Sequence, residues 1–359
     1  MASSVDRAQV DAVLKDFKDP ETGRSVVVTE QVKKVDLQGD KLSIDLGLTT
    51  HSAPLWDEVK TELTAKLKAA IPSLASIEVK IVDHVRPPQK LGEIGLTAKS
   101  VIAVGSGKGG VGKSTIAAAL ALGLVRAGSK VGLMDADVYG PSIPHLLGVN
   151  RRPEIADGKI QPIQVSGLNV ISMGFLVAPG EAVVWRGPML HGAITQFLRD
   201  TAWGDLDYLI IDMPPGTGDI ALTLSQMLPL TGAVVVCTPQ DVALLDAVKA
   251  IAMFRKVNIP VLGMVENMSG FVCPDCNNRH DIFGYGGAKQ RAKELDIPFL
   301  GEVPINMQIR LLGDTGQSAA NFDDATVAPY LQKIVHQLVT NLADANRQAP
   351  PLPKLSVLG

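Results

Sequence analysis

Between a run of apolar β-formers, Val101-Ile-Ala-Val, and a strong helix former, Ile116-Ala-Ala-Ala-Leu-Ala-Leu, lies a glycine-rich turn that constrains everything around it. The turn reads Gly107-Lys108-Gly109-Gly110-Val111-Gly112-Lys113-Ser114-Thr115. Gly107, four residues, then Gly112-Lys113-Ser114 satisfies the phosphate-loop pattern G-x-x-x-x-G-K-[ST]. Bare glycines let consecutive backbone N–H groups converge on phosphate oxygens, and the positive end of the following helix lies under the same charge. Residues Gly107 to Thr115 are therefore the expected nucleotide cradle, with Lys113 reaching the β- and γ-phosphates and Ser114 holding Mg²⁺. A glycine turn alone could be merely structural; the full motif between strand and helix is not explained that way.

Lys108 adds a second cation inside the loop, giving Lys-Gly-Gly-x-Gly-Lys-Ser. This resembles the deviant Walker A motif of dimeric P-loop ATPases, a group that includes MinD, ParA, the nitrogenase iron protein and the Mrp proteins. The resemblance implies that Lys108 reaches across a dimer interface to the partner's nucleotide.

A length of 359 residues suits one large domain plus a small one, and 46% hydrophobic content supports a sizeable α/β core. Net charge is −3 without a basic run, so no electrostatic footprint for nucleic acid is expected. No apolar run approaches the roughly 20 residues of a membrane span, and no secretory leader is read at the start. Three cysteines make no disulfide framework and point to a reducing cytoplasm.

Residues 1–85 read as a separate α+β unit. Helical spacing of Val10, Val13, Leu14 and Phe17 predicts a helix over 5–17, ended by the turn at Asp19-Pro20-Glu21. Alternation predicts a hairpin from 25–37 and 41–48, then a helix from Pro54 to Ala70 and a strand over 77–82. The unit resembles the PaaD-like domain associated with Fe–S assembly proteins. Residues 86–100 have linker composition, 101–345 form the expected ATPase domain, and 346–359 a proline-rich tail.

Within 101–345 the expected fold is a doubly wound, mainly parallel sheet with helices on both faces. A strand over 130–134 ends on Asp135-Ala-Asp137, placing carboxylates at a ligand-binding edge. The apolar strand Asp207-Tyr-Leu-Ile-Ile-Asp212 followed by Met-Pro-Pro-Gly has the Walker B arrangement, with Asp212 binding Mg²⁺ through water and the turn sensing the γ-phosphate. Cys237 sits among valines and reads as a small core residue.

A second chemical motif, Cys273-Pro-Asp-Cys276, interrupts the pattern in a polar loop. Thiolates at this spacing can face one metal, whereas structural thiols belong in a core. Two ligands are too few for a [4Fe–4S] cluster or a closed zinc site, each of which takes about four. A two-fold dimer would bring two pairs together around one bridging cluster. Zinc, held by four cysteines across a dimer or with His280 in one chain, stays open, because the same ligands serve both metals.

Taken together, the P-loop with Lys108, Asp135-Ala-Asp-Val-Tyr-Gly-Pro-Ser, Asp212-Met-Pro-Pro-Gly-Thr-Gly-Asp and the late Cys-x-x-Cys resemble the Mrp/ApbC group of iron–sulfur cluster carrier ATPases. The resemblance implies ATP hydrolysis coupled to holding a labile [4Fe–4S] cluster at a homodimer interface and passing it from a donor or scaffold to apoproteins. It also implies that Asp137 orients the attacking water or the metal shell, and that Asn267 contacts the nucleotide base, with 303–306 closing its other side. A MinD/ParA-type positioning ATPase is the rival, and it calls for an amphipathic membrane helix or a basic DNA-binding face.

Overall fold

The computed structural model describes residues 6–138, 140–176, 187–216, 218–273, 275–276 and 278–348. It divides into two units, Met1–Arg86 with Val339–Gly359, and Pro87–Leu338.

The first unit holds α1 (Arg7–Asp16), β1 (Val32–Gln38), β2 (Lys41–Leu48), α2 (Trp56–Ala70) and β3 (Ser76–Asp83). Asp6 caps α1 by accepting from the Ala8 N–H, and the helix buries Val10 and Leu14 at four-residue spacing. Val59, Leu63 and Leu67 make the matching stripe on α2. β1 and β2 form an antiparallel hairpin, and β3 joins β2 in parallel through the α2 crossover. The hairpin's first strand begins at Val32 rather than at residue 25. Backbone groups of 25–31 go instead to a turn, with Val26 N donating to Phe17 O and Gln31 N to Val26 O. Buried Asp19 ties the Asp-Pro-Glu turn together: it accepts from Gln31 Nε2 at 3.0 Å, Thr22 N at 3.1 Å and Arg86 NH1 at 3.0 Å. Its burial is supportable because the guanidinium neutralises it.

The second unit contains β4 (Lys90–Leu91), β5 (Leu96–Gly105), α3 (Lys113–Arg126), β6 (Val131–Asp135), α4 (Ile143–Leu146), β7 (Ile155–Ala156), β8 (Lys159–Ile160), β9 (Ile163–Val165) and β10 (Leu168–Ser172). It continues with α5 (Gly187–Asp200), β11 (Leu206–Asp212), α6 (Gly218–Met227), β12 (Gly232–Cys237), α7 (Asp241–Lys256), β13 (Val261–Val272), β14 (Arg279–His280), α8 (Gly287–Glu294), β15 (Phe299–Ile305) and α9 (Met307–Asp314). The last helix, α10 (Ala328–Gln348), runs from this unit into the first.

Ten strands make one sheet, ordered β14-β13-β12-β5-β11-β6-β10-β9, with β15 on β13 and β4 on β5. Pairings of β10, β6, β11, β5, β12, β13 and β15 are parallel; β4, β9 and β14 add antiparallel edges. The near-continuous apolar runs of β5, β11 and β12 follow from burial on both faces, as a helix-covered parallel sheet requires. Two boundaries differ from the sequence reading. The stretch read as linker over 86–100 contains β4 and the first half of β5, because Leu96 and Ala98 point into the core despite the polar residues between them. The stretch read as tail from 346 is helical to Gln348, and 349–359 lie outside the described residues.

Candidate functional site

The P-loop leaves β5 at the carboxyl edge of the sheet and enters α3 at Lys113. Gly110 and Gly112 have φ of +79° and +81°, a left-handed backbone that favours glycine. A Cβ on Gly107 would overlap the Asp246 carbonyl and one on Gly112 the Asn267 amide, whereas beside Gly109 and Gly110 the space is open. The closed side of the loop packs on protein; the open side faces a cleft of about 410 Å³. Lys108, Lys113, Ser114, Thr115, Asp137 and Pro215 are among its walls.

Strand register explains the charge cluster beneath. Asp135 on β6 and Asp212 on β11 pair directly in the parallel ladder, so two fully buried carboxylates lie side by side. Lys113 Nζ is 2.6 Å from Asp212 Oδ1, 3.6 Å from Asp137 Oδ2 and 3.2 Å from Ser114 Oγ. Asp135 accepts from Ser172 Oγ, Asp137 N and Ile143 N. Burial and then the Asp212 charge push the Asp135 carboxyl up to about 8, against those three hydrogen bonds. Burial also raises Asp212, opposed by the Lys113 charge and by hydrogen bonds from Lys113 and Ser114. Asp212 Oδ2 is a buried oxygen with no hydrogen-bond partner among the described residues. One buried ammonium thus faces two acidic side chains, Asp212 and Asp137, with an oxygen left over.

The switch segments meet this cleft. Gly216 N donates to Ser106 O and Met213 N to Val104 O, tying the Pro-Pro-Gly turn to the P-loop strand. Tyr139 and Thr217 of the two switch motifs lie outside the described residues. Lys108 is half-buried, its carbonyl held by the Ser106 hydroxyl. Asn267 does not line the cleft: its Nδ2 donates to Val111 O at 2.8 Å, bracing the loop from behind. That use of the amide nitrogen differs from the expected base contact. Sequence reading gave no role to Ser106 or Leu146, small or apolar residues of no motif value that the fold brings to the cleft, while Ser142, the last residue of the first switch motif, also lines it.

The thiols stand at the far end of β13. Cys273 N donates to Asn278 O, and the two-residue β14 closes the loop by pairing Phe271 with His280 and Val272 with Arg279. Cys273 is half-buried and Cys276 exposed. The backbone N–H of Cys276, then that of Asp275 and the Cys276 side chain, hold the Cys273 thiol below its usual range. Among the described residues no group of three or more His, Cys, Asp or Glu is placed to hold a metal. Cys237 is a core residue, its thiol pushed up to about 12 by burial and then by the Glu266 charge.

Cys273 also lines a second cavity, of about 360 Å³, with Pro304, Ile305, Asn306, Thr326 and Tyr330. Asn306 caps α9 through Gln308 N and Ile309 N. Among the described residues no helix is long and apolar enough to cross a membrane.

This fold and site define a P-loop NTPase with a second lysine in its loop. A ParA-family model described as NUBPL iron-transfer P-loop NTPase matches residues 97–339, and an iron–sulfur cluster assembly protein model matches 7–81. The chain belongs to this iron-transfer P-loop NTPase family. It is 44% identical over 347 residues to the iron-sulfur cluster carrier protein of Deinococcus radiodurans, covering 94% of this chain and 98% of that one. The iron-sulfur cluster carrier protein of Escherichia coli K12 is 45% identical over 310 residues, 85% of this chain and 83% of that one. Among solved structures, a nucleotide-binding protein from Archaeoglobus fulgidus in complex with ADP matches with TM-score 0.56 and 43% identity, over 62% of this chain and 88% of that chain. The Pyrococcus furiosus cell division ATPase MinD, at 22% identity and TM-score 0.50, shares the fold.

Proposed function

We propose that this protein binds and hydrolyses ATP and carries an iron–sulfur cluster, held by Cys273 and Cys276, from a donor to acceptor apoproteins. The observation that carries this reading is one sheet edge bearing both a formed phosphate cradle and, at the end of β13, a pair of thiols, half-buried Cys273 and exposed Cys276, too small to complete a site alone. The family relationship favours the carrier over a positioning ATPase.

Lys113 would move from its Asp212 partner to the β- and γ-phosphates, where its charge counts most against the growing negative charge. The unpartnered Asp212 Oδ2 and the adjacent Ser114 hydroxyl suit Mg²⁺, which would neutralise phosphate charge when bound. Asp137, at the cleft wall, would orient the attacking water. Lys108 would act on the nucleotide of a second copy.

Exposed apolar side chains support such a homodimer. Val242 and Leu245 of α7, Leu222 of α6, and Ile282, Phe283 and Tyr285 beyond the thiols all follow the carboxyl ends of sheet strands. Two copies meeting there would supply four thiolates, the number a [4Fe–4S] cluster takes, and shared ligands suit a cargo that must leave. The cytoplasm, which keeps such thiols reduced, is the fitting compartment.

The test is anaerobic reconstitution of wild type and a Cys273→Ala/Cys276→Ala variant. A brown protein with about two iron atoms per chain, colourless in the variant, is the expected result. A variant that loads and transfers iron normally would overturn the assignment, and a colourless wild type retaining zinc would move it to a structural metal.

A further inference from the structure

Only five residues lie between Asn267, on the back of the P-loop, and Cys273 in the thiol loop. Those positions are not plain strand. The β13–β15 ladder breaks between Asn267 and Phe271, where Met268 and Gly270 take φ of +58° and +71°. A kink of this kind is a place where backbone can shift without unpacking the strand before it.

Arg279 fills the kink from the other side of the thiol loop. Its NH2 donates to Ser269 O at 3.1 Å, its Nε pairs with Asp281 at 3.0 Å, and NH1 lies 3.6 Å from Glu302. Tyr285 stacks on the guanidinium, 4.1 Å from ring centre to Cζ. A Cβ on Gly270 would come 2.8 Å from Arg279 Nε, so the arginine lies against bare backbone. Beneath it the Ser269 hydroxyl is 2.6 Å from Glu266 and 2.9 Å from Glu302. Glu266, fully buried, accepts from Gly286 N and Ala288 N and so anchors the chain that follows the thiols. Without these contacts, β14 is a two-residue strand at a sheet edge, too short to hold a loop firmly.

We propose that Arg279 is a positioning residue that couples the two sites: it locks the Cys273–Cys276 loop onto the kinked segment of β13 whose Asn267 braces the P-loop. This rests on the reading that the P-loop binds nucleotide and the thiols hold the cargo. Any rearrangement of residues 110–112 around phosphate moves the Val111 carbonyl and, with it, Asn267. The kink passes that displacement to Ser269, and Arg279 transfers it to the strand that closes the thiol loop. The coupling lies in a contiguous set of hydrogen bonds and ion pairs around one kinked turn.

The experiment uses the full chain, reduced and metal-free, with iodoacetamide alkylation of each cysteine followed by peptide mapping. Rates are measured without nucleotide, with ADP, and with a non-hydrolysable ATP analogue. In wild type, saturating nucleotide should change the Cys273 rate by about fivefold or more, the lower range for coupled sites. Arg279→Met should bind nucleotide with unchanged affinity while its rates with and without nucleotide converge. Ser269→Ala should weaken the response in the same direction. A wild-type rate indifferent to bound nucleotide, or an Arg279→Met variant keeping the full response, would overturn the proposal. Buried Cys237 reports folding; should it react in Arg279→Met, the Ser269→Ala response decides, and an undiminished one overturns the coupling. Iron loading is independent of these outcomes: Arg279→Met should still take up iron, whereas failure of wild type to load would end the carrier reading and leave the thiol rates interpretable.

Discussion

The P-loop and the thiol loop are both short turns at the carboxyl edge of the same sheet, yet they are built in opposite ways. The P-loop sits on buried parallel strands, with Lys113, Asp135 and Asp212 all in the interior and glycines pressed against Asp246 and Asn267. The thiol loop hangs from a two-residue antiparallel strand and leaves Cys276 exposed. A nucleotide site must present donors at fixed positions before the ligand arrives, which requires a packed foundation. A site for cargo that leaves must stay open, and its rigidity has to come from a few discrete contacts such as those of Arg279.

The comparison can be broken most severely at the lysines. Lys113→Ala should lower ATP hydrolysis by about 100-fold or more, since a preorganised charge on the transferring phosphoryl group is lost. Lys108→Ala should keep nucleotide affinity and lose hydrolysis, measured by nucleotide titration alongside phosphate release. Equal loss of affinity in Lys108→Ala would remove the case for action on a second copy's nucleotide.

Glycine substitutions sharpen it further. Gly112→Ala should destabilise the fold by about 1–3 kcal/mol in denaturant melts, because its φ of +81° and the Asn267 amide both oppose a side chain. Gly109→Ala meets no crowding within 3.9 Å and should leave stability unchanged while weakening nucleotide binding.

A smaller effect follows from pH. Asp135 stays protonated in the folded state up to about 8 but ionises near its ordinary value when unfolded. Stability of the nucleotide-free protein is therefore full below the ordinary carboxylate range and falls as pH rises toward 8, by at most about 1.4 kcal/mol per pH unit. Melting temperatures between pH 5.5 and 8 should decline, and Asp135→Asn should flatten the slope; an unchanged slope would place the titration elsewhere. The smallest effect is expected for Cys237→Ala, which should cost about 1 kcal/mol of stability and leave iron loading untouched.

Much of the nucleotide site was legible because its information is local. Gly107 to Thr115 must form that loop wherever strand and helix flank it, and an apolar strand ending in Asp212 carries its own direction. The start of β5 at Leu96 was hidden, since Thr97 and Lys99 read as polar linker until a neighbour covers Leu96 and Ala98. Asn267 was legible as a special residue but not as a brace: turning its amide to Val111 depends on β13 passing behind a loop far away in the chain. Glu266 carried a signal that sequence reasoning passed over, a carboxylate directly after the apolar run 261–265, which a buried position tolerates only with several donors.

The chain by itself determined the chemistry available here: a phosphate loop with two lysines, carboxylates at strand ends, and a thiol pair at metal-ligand spacing. These are consequences of residue type and spacing along a few turns of backbone. The tertiary structure decided how those pieces act on one another. In-register pairing of β6 and β11 sets Asp135 beside Asp212, and the kink in β13 brings Arg279, Ser269 and Glu302 together between the P-loop and the thiols. Electrostatic coupling and hydrogen bonding act over a few ångströms, so they are governed by which strands become neighbours, and strand order is a property of the whole sheet.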